Sequence, residues 1–105
     1  MKYMGSKARH AKELLPIILR GRKDRQWYVE PFVGGANMID KVDGNRIGAD
    51  INGHVIAMLD ALSKGFNPPK EISKELYDRC RDKYYKNKQG ADALLGYVGV
   101  NGSYN

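Results

Sequence analysis

The residues of this chain best suited to chemistry are a pair of glycines and an acid, each at the end of a predicted strand. The β-forming segment Tyr28–Phe32 leads into Gly34 and Gly35, and a second strand leads into Asp50. Glycine adopts backbone angles denied to other residues, so main-chain N–H groups in such a turn can come close to a ligand. An acid about 20 residues beyond the first strand can accept hydrogen bonds from both hydroxyls of a ribose. The spacing predicts a site for an adenosine-containing ligand.

The glycine pattern taken alone leaves a second interpretation open. The full dinucleotide-binding pattern G-x-G-x-x-G is absent, and only the pair Gly34-Gly35 is present. An ordinary turn would also contain such a pair, and Asp50 could cap a helix instead of holding a ribose. The choice depends on whether the two strands bring the acid and the glycines together.

A helix and two strands are predicted to position these residues. The helix is capped by Ser6, and Pro16 should kink or divide it. The strands are Trp27–Phe32 and Arg46–Ile51, with a short helix or an irregular turn over residues 36–42 between them. Because the order of elements is β-α-β-α, the two strands should pair in parallel. The apolar face of the first helix comprises Ala11, Leu14, Leu15 and Ile18.

Three further helices are predicted after the second strand. Asn52 caps the first of them, whose apolar residues recur at helical spacing until Lys64-Gly65 ends it. The next runs from Ser73, its cap, to about Asn87, and the last covers residues 91–98. Residues 99–105 have the composition of a turn, so we expect a loop there.

The composition indicates one small globular domain of 105 residues. Its 18 basic and 12 acidic side chains give a formal charge of +6, which suits a polyanionic partner and equally a lysine-rich soluble surface. Cys80 is the only cysteine, which excludes an intramolecular disulfide and indicates a reducing compartment. His10 and His54 lack neighbouring ligands, so no metal site is predicted. The apolar run Leu14–Leu19 is too short to span a membrane, and we expect a cytoplasmic protein.

Three motifs in a fixed order give the chain a specific resemblance. They are Lys2-Tyr-Met-Gly-Ser-Lys7 at the start, Glu30-Pro-Phe-Val-Gly-Gly35 after the first strand and Asp50-Ile-Asn52 after the second. With these motifs the chain resembles the amino-terminal part of the Dam-type DNA adenine-N6 methyltransferases, which include many phage and restriction-modification members. The likeness extends to Gly96-Tyr-Val-Gly99 and covers essentially the whole chain.

The resemblance implies a fold and a cofactor. The fold would be α/β, a partial Rossmann-like class I methyltransferase fold with a short, mostly parallel sheet flanked by helices. The cofactor would be S-adenosylmethionine, with Tyr3 and Lys7 packing on it and binding it, Glu30 pairing with its ammonium group and Asp50 holding its ribose. Lysine is a suitable donor to a carboxylate, and an aromatic face can stack on adenine or contact the sulfonium cation. The residues implied in cofactor binding are Tyr3, Lys7, Glu30, Phe32, Gly34, Gly35 and Asp50.

The chain departs from this family at the catalytic motif. The family transfers the methyl group at a tetrapeptide of Asp, Asn or Ser, two prolines and an aromatic residue that stacks on the extruded base. The nearest match, Asn67-Pro-Pro-Lys70, has lysine in place of the aromatic residue. We therefore expect one truncated domain over 1–105, with a cofactor-binding core over 1–62 and a helical segment and unfinished loop over 63–105. It should be inactive alone, with double-stranded DNA as one partner and with a protein partner or self-association completing the fold.

Two other interpretations stay open. The chain could be a non-enzymatic, basic regulatory or phage-type module that binds DNA or a protein, or a gene remnant with no independent role. In addition, Tyr84 and Tyr85 lie among Lys83, Lys86 and Lys88. Such a mixture can stack on bases and meet phosphates, and it is equally typical of the edge of an amphipathic helix.

Overall fold

A computed structural model describes residue 3 and residues 5–102 of the chain. The described residues form two compact units. One is Gly5–Asp50, and the other contains Tyr3 together with residues 51–102. That the whole chain acts as a single domain stays a prediction.

The unit Gly5–Asp50 contains a two-stranded parallel sheet. Helix α1 covers Ala8–Ile18, strand β1 Tyr28–Glu30 and strand β2 Arg46–Gly48. A three-residue 3-10 helix, Ile39–Lys41, lies between the strands in the chain. The strands pair with Tyr28 opposite Arg46, so the predicted parallel pairing is confirmed, although both strands are shorter than predicted.

Helix α1 differs from its prediction in two respects. It continues through Pro16 without a break, and the Leu19 N–H beyond the proline donates to Leu15 O before it at 2.8 Å. The predicted apolar face is also wrong in part: Leu14 and Ile18 are exposed, whereas Ala11 and Leu15 are buried. Residues 11 and 15 lie one turn apart on the stripe that meets the sheet, and residues 14 and 18 lie on the stripe beside it.

The core of this unit joins α1 to the sheet and to the segment after the glycine turn. That segment was predicted as a short helix or an irregular turn over residues 36–42, and only its 3-10 helix is regular. It nevertheless buries two side chains, Met38 and Val42. The buried cluster therefore ties both ends of the glycine turn to one core, whose members are Ala11, Leu15, Tyr28, Met38 and Val42.

The second unit contains three helices, α2 over Gly53–Ser63, α3 over Lys74–Lys86 and α4 over Ala93–Gly102. The predicted caps are confirmed. The side chain of Asn52 accepts hydrogen bonds from the N–H groups of residues 54 and 55, and that of Ser73 accepts one from residue 76. None of the helices that the structure describes is long and apolar enough to cross a membrane.

Helix α4 is longer than predicted and includes residues 99–102, which the glycine-rich composition assigned to a loop. The reason is tertiary packing. Gly96 lies directly against the backbone of α2, where a β-carbon would be 2.7 Å from the carbonyl carbon of His54. The absence of a side chain at Gly96 lets α2 and α4 approach closely, and this packing stabilises α4 despite the low helix propensity of glycine.

Candidate functional site

The predicted site begins where the two strands end. Beyond the paired residues, the Ala49 N–H donates to Glu30 O at 2.9 Å, and the Val33 N–H donates to Ala49 O at 2.8 Å. The backbone of residue 49 is thus hydrogen-bonded to residues 30 and 33 of the other segment. The two residues between these, 31 and 32, bulge out of the hydrogen-bonding pattern of the sheet. One of these is Phe32, whose side chain is 76% exposed.

The glycine turn and the acid meet one residue further along. The N–H of Gly34 donates to Asp50 Oδ2 at 3.0 Å. Gly34 has a φ of 53°, in the left-handed region that favours glycine, and the Ala36 N–H closes the turn on Val33 O at 2.9 Å. The ends of the parallel strands therefore bring the carboxylate and the glycine backbone together, as the sequence spacing requires.

A buried acid lies on the inner face of the sheet next to this turn. Glu30 is only 7% exposed. Its Oε1 is 3.4 Å from Lys7 Nζ, and its Oε2 accepts a hydrogen bond from the Tyr28 hydroxyl at 3.1 Å. The Lys7 ammonium also donates to Phe32 O. These contacts satisfy a buried carboxylate and connect the start of α1 to the exposed loop after β1.

Ser6 makes a second connection between the first motif and the turn. Its hydroxyl accepts hydrogen bonds from the Ala8 N–H at 3.1 Å and from Asn37 Nδ2 at 2.7 Å. Ser6 is not the predicted N-cap of α1, because the N-cap is Lys7 and no side chain caps it; the Ser6 hydroxyl lies one residue earlier and instead holds the Ala8 N–H and the segment that follows Gly35. The motif at the start of the chain and the glycine motif are parts of one hydrogen-bonded arrangement.

The raised pKa of the Tyr28 hydroxyl predicts how the stability of the protein changes at high pH. Burial, together with the neighbouring Glu30 carboxylate, raises the pKa of Tyr28 from 10.0 to about 12. Because the folded state favours the protonated phenol, its contribution to stability is complete below pH 10 and is lost as the pH rises through about 12. Ultraviolet titration of tyrosinate should show a component near pH 12 that Tyr28→Phe removes. Persistence of that component in the variant would assign it to another of the seven tyrosines.

The structure does not bring all seven predicted residues into one described unit. Lys7, Glu30, Phe32, Gly34, Gly35 and Asp50 all belong to the unit Gly5–Asp50. Tyr3 belongs to the other unit, where it lines a cavity together with residues of α2, α3 and α4.

The sequence reasoning missed two residues of the site. Tyr28 was treated only as a strand residue, although its position two residues before Glu30 places both on the same face of β1 and could have indicated their contact. Ala36 has a φ of 63°, a conformation that costs a non-glycine residue about 1 kcal/mol or more. No sequence signal marks that strain.

Cys80 and His54 are packing residues of the helical unit. Cys80 is buried. Its burial is the main cause that raises the pKa of its thiol, and the nearby Asp92 carboxylate raises it further. His54 is 2% exposed and uses both ring nitrogens: Nδ1 accepts from the Asp92 N–H at 3.0 Å, and Nε2 lies 2.9 Å from Asn87 O. The first bond fixes the neutral tautomer with its proton on Nε2, which donates to Asn87 O.

Comparison with known proteins identifies a family. The family model of the D12 class N6 adenine-specific DNA methyltransferases matches residues 3–97. No curated protein and no solved structure matched the chain. The matched region contains all seven predicted residues and both strand ends that carry the Gly34–Asp50 contact. The chain therefore belongs to the D12 class of N6 adenine-specific DNA methyltransferases.

Proposed function

We propose that the unit Gly5–Asp50 is the donor-binding part of a DNA adenine-N6 methyltransferase and takes S-adenosylmethionine. The observation that carries this proposal is the hydrogen bond from the Gly34 N–H to Asp50 Oδ2 at the ends of the two parallel strands. In open α/β sheets, ligands bind outside the carboxyl ends of the strands. We further propose that this unit is the first part of a Rossmann-like class I methyltransferase sheet.

The residues present suit this cofactor. The Asp50 carboxylate has the chemistry to accept hydrogen bonds from ribose hydroxyls, and Gly34 and Gly35 leave the backbone beside it without side chains. Phe32 offers an exposed ring to adenine or to the sulfonium group. S-Adenosylmethionine would supply an electrophilic methyl group, and the residues of this unit would bind and orient it.

In this proposal Lys7 and Glu30 hold the protein backbone in place as well as binding the ligand. Both oxygens of Glu30 have partners within the protein, and the Lys7 ammonium is held between Glu30 and Phe32 O. Carboxylate oxygens can accept further hydrogen bonds, so Glu30 can still receive the ammonium group of the ligand. Lys7 fixes the backbone that carries the Phe32 ring and presents its charge to the ligand's carboxylate.

We propose that these 105 residues bind the methyl donor without transferring the methyl group to DNA by themselves. They contain no tetrapeptide of Asp, Asn or Ser, two prolines and an aromatic residue, so they lack the platform that holds an extruded adenine. Calorimetric titration of the purified chain should show saturable binding of S-adenosylmethionine. Incubation with labelled donor and an adenine-containing duplex should show no incorporation of label.

The two measurements separate this proposal from its alternatives. No donor binding, combined with salt-sensitive binding of duplex DNA, would favour a non-enzymatic basic module. Incorporation of methyl groups into DNA by the chain alone would contradict the proposal that it binds the donor without transferring the methyl group. It would also require a catalytic group outside the family motif.

We also propose that another polypeptide, either a partner or a second copy, covers the outer face of the sheet. Val29 and Ile47 lie opposite each other on the two strands, and both side chains are exposed. Parallel sheets are normally covered on both faces, and apolar cross-strand pairs facing water favour association. Sedimentation should show a species larger than the 11.8 kDa chain, and Ile47→Lys should shift it towards the monomer. A monomer at all concentrations, with no partner recovered, would contradict this proposal.

A further inference from the structure

The unit that contains α2, α3 and α4 encloses a second site, which we call the tyrosine cavity. Its volume is about 370 Å³, and it lies among the three helices of this unit. Four tyrosines contribute to its wall, namely Tyr3, Tyr77, Tyr84 and Tyr85. The donor-site residues of the unit Gly5–Asp50 do not line it.

Two of the lining tyrosines are exposed, and a cation lies next to one of them. Tyr84 is 37% exposed and Tyr85 63% exposed, and their ring centroids lie 5.7 Å apart in an edge-to-face arrangement. Lys88 Nζ lies over one face of the Tyr85 ring, 5.4 Å from its centroid, which leaves the other face of the ring for stacking. An exposed aromatic ring next to a lysine offers a stacking surface for a planar group and a charge for an anion attached to it.

The wall behind these rings is held in place by buried contacts. The Tyr84 ring packs edge-on against His54 at a centroid distance of 5.8 Å. His54 is itself fixed through both nitrogens, to Asn87 O and to the Asp92 N–H. The aromatic wall is therefore preorganised, which lowers the entropic cost of binding a flat ligand.

One part of the wall is bare. Gly99 lines the cavity from α4, and apart from its chain neighbours and the backbone of its own helix no atom of residues 3 and 5–102 lies within 4 Å of the position that its β-carbon would occupy. Gly96, one turn earlier on the same helix, is instead packed against the α2 backbone. We expect a larger side chain at residue 99 to occupy space at this wall of the cavity and to leave the helix packing intact.

The charges around the cavity suit a phosphodiester. Arg81 lines it, and its guanidinium group is paired with Asp78 at 3.5 Å and more loosely with Asp82 at 3.9 Å. The cations at the exposed end of α3 and just beyond it are Lys83, Lys86 and Lys88. Many proteins bind single-stranded nucleic acid without sequence preference. They do so with positive side chains spaced along a groove and aromatic rings between them.

We propose that the tyrosine cavity binds an unpaired base of single-stranded DNA, with Tyr84 and Tyr85 as the stacking surface and Lys88 beside the attached phosphate. The cavity is large enough for one base and its sugar, and it is open to solvent at the exposed tyrosines. Tyr3 is the one lining residue that the sequence also predicted for the donor; the other lining residues have no predicted part in donor binding, and the binding of a base here needs no S-adenosylmethionine.

The test compares a labelled single-stranded oligonucleotide with an otherwise identical one that carries a run of abasic positions. Fluorescence anisotropy without S-adenosylmethionine measures both affinities. Stacking contributes about 1 to 3 kcal/mol per base, so the wild-type chain should bind the complete strand about 5- to 150-fold more tightly than the abasic strand. Equal affinities would overturn the proposal, because phosphate contacts alone would then account for binding.

Variants of α3 and α4 make the test specific. Gly99→Leu should reduce the affinity ratio of the two oligonucleotides to about one, and Tyr85→Leu should lower it several-fold. Leu94→Phe, which adds bulk to α4 at a residue that does not line the cavity, should leave the ratio unchanged. Unfolding curves of each variant verify that the helices are intact. An unchanged ratio in folded Gly99→Leu would show that the base does not enter the cavity.

A donor-site variant keeps the two proposals distinguishable. Asp50→Ala should lose affinity for S-adenosylmethionine and keep the full affinity ratio for the two oligonucleotides. Gly99→Leu should behave in the opposite way. Loss of the affinity ratio in folded Asp50→Ala would contradict the separation of the sites.

Discussion

Asp50→Ala should weaken the binding of S-adenosylmethionine by about 10- to 100-fold. Hydrogen bonds to a charged group contribute about 1.5 to 3 kcal/mol, and a carboxylate that receives two ribose hydroxyls loses that contribution on truncation. The variant also removes the acceptor of the Gly34 N–H, which is 3.0 Å from Asp50 Oδ2. The glycine turn therefore loses its fixed position together with the ligand contact. Calorimetric titration of wild-type and variant chains measures the effect.

Two further variants serve as controls for this measurement of donor affinity. Asp50→Asn keeps one acceptor oxygen and nearly the same size, so it should bind the donor with an affinity between those of the wild type and Asp50→Ala. Asp24→Ala removes an exposed carboxylate of the same unit, in the loop before β1, and should bind as the wild type does. Wild-type affinity in Asp50→Ala would contradict the assignment of this acid to the ribose.

Gly96→Ala should destabilise the helical unit by about 2 to 3 kcal/mol. The β-carbon of alanine would overlap the carbonyl oxygen of His54 and lie 3.0 Å from the β-carbon of Met58, which is fully buried. These are backbone and core atoms, so α2 and α4 must move apart and lose packing. Urea unfolding followed by the helical circular dichroism signal measures the change in free energy.

Gly99→Ala is the matched control for this prediction. It makes the same substitution three residues later on the same helix, where the described part of the chain places no atom outside that helix's own backbone and the adjacent residues within 4 Å of the new β-carbon. Alanine is the better helix former by about 1 kcal/mol, so this variant should be as stable as the wild type or more stable. Similar losses of stability in the two variants would show that the close approach at Gly96 is not what holds α2 to α4.

The sequence predicted the parts of the fold that depend on local chemistry. Asn52 and Ser73 were recognisable as caps because their side chains can accept from the free N–H groups of a following helix. The parallel pairing of the strands followed from the order of the elements. The meeting of Asp50 with Gly34 followed in turn, because the carboxyl ends of parallel strands lie at one edge of a sheet.

The features that the sequence did not predict depend on contacts between distant residues. Residues 99–102 have loop composition and are helical, because packing at Gly96 outweighs propensity in α4. The tyrosine cavity requires three helices and Tyr3 to converge, and no local pattern encodes that convergence.

A crystal structure of the chain with S-adenosylmethionine is the most direct test of the proposed function. The account predicts both ribose hydroxyls within hydrogen-bond distance of the Asp50 carboxylate, with the ligand lying against the backbone of Gly34 and Gly35. Density for the ligand elsewhere in the chain, with Asp50 bonded only to protein atoms, would contradict it.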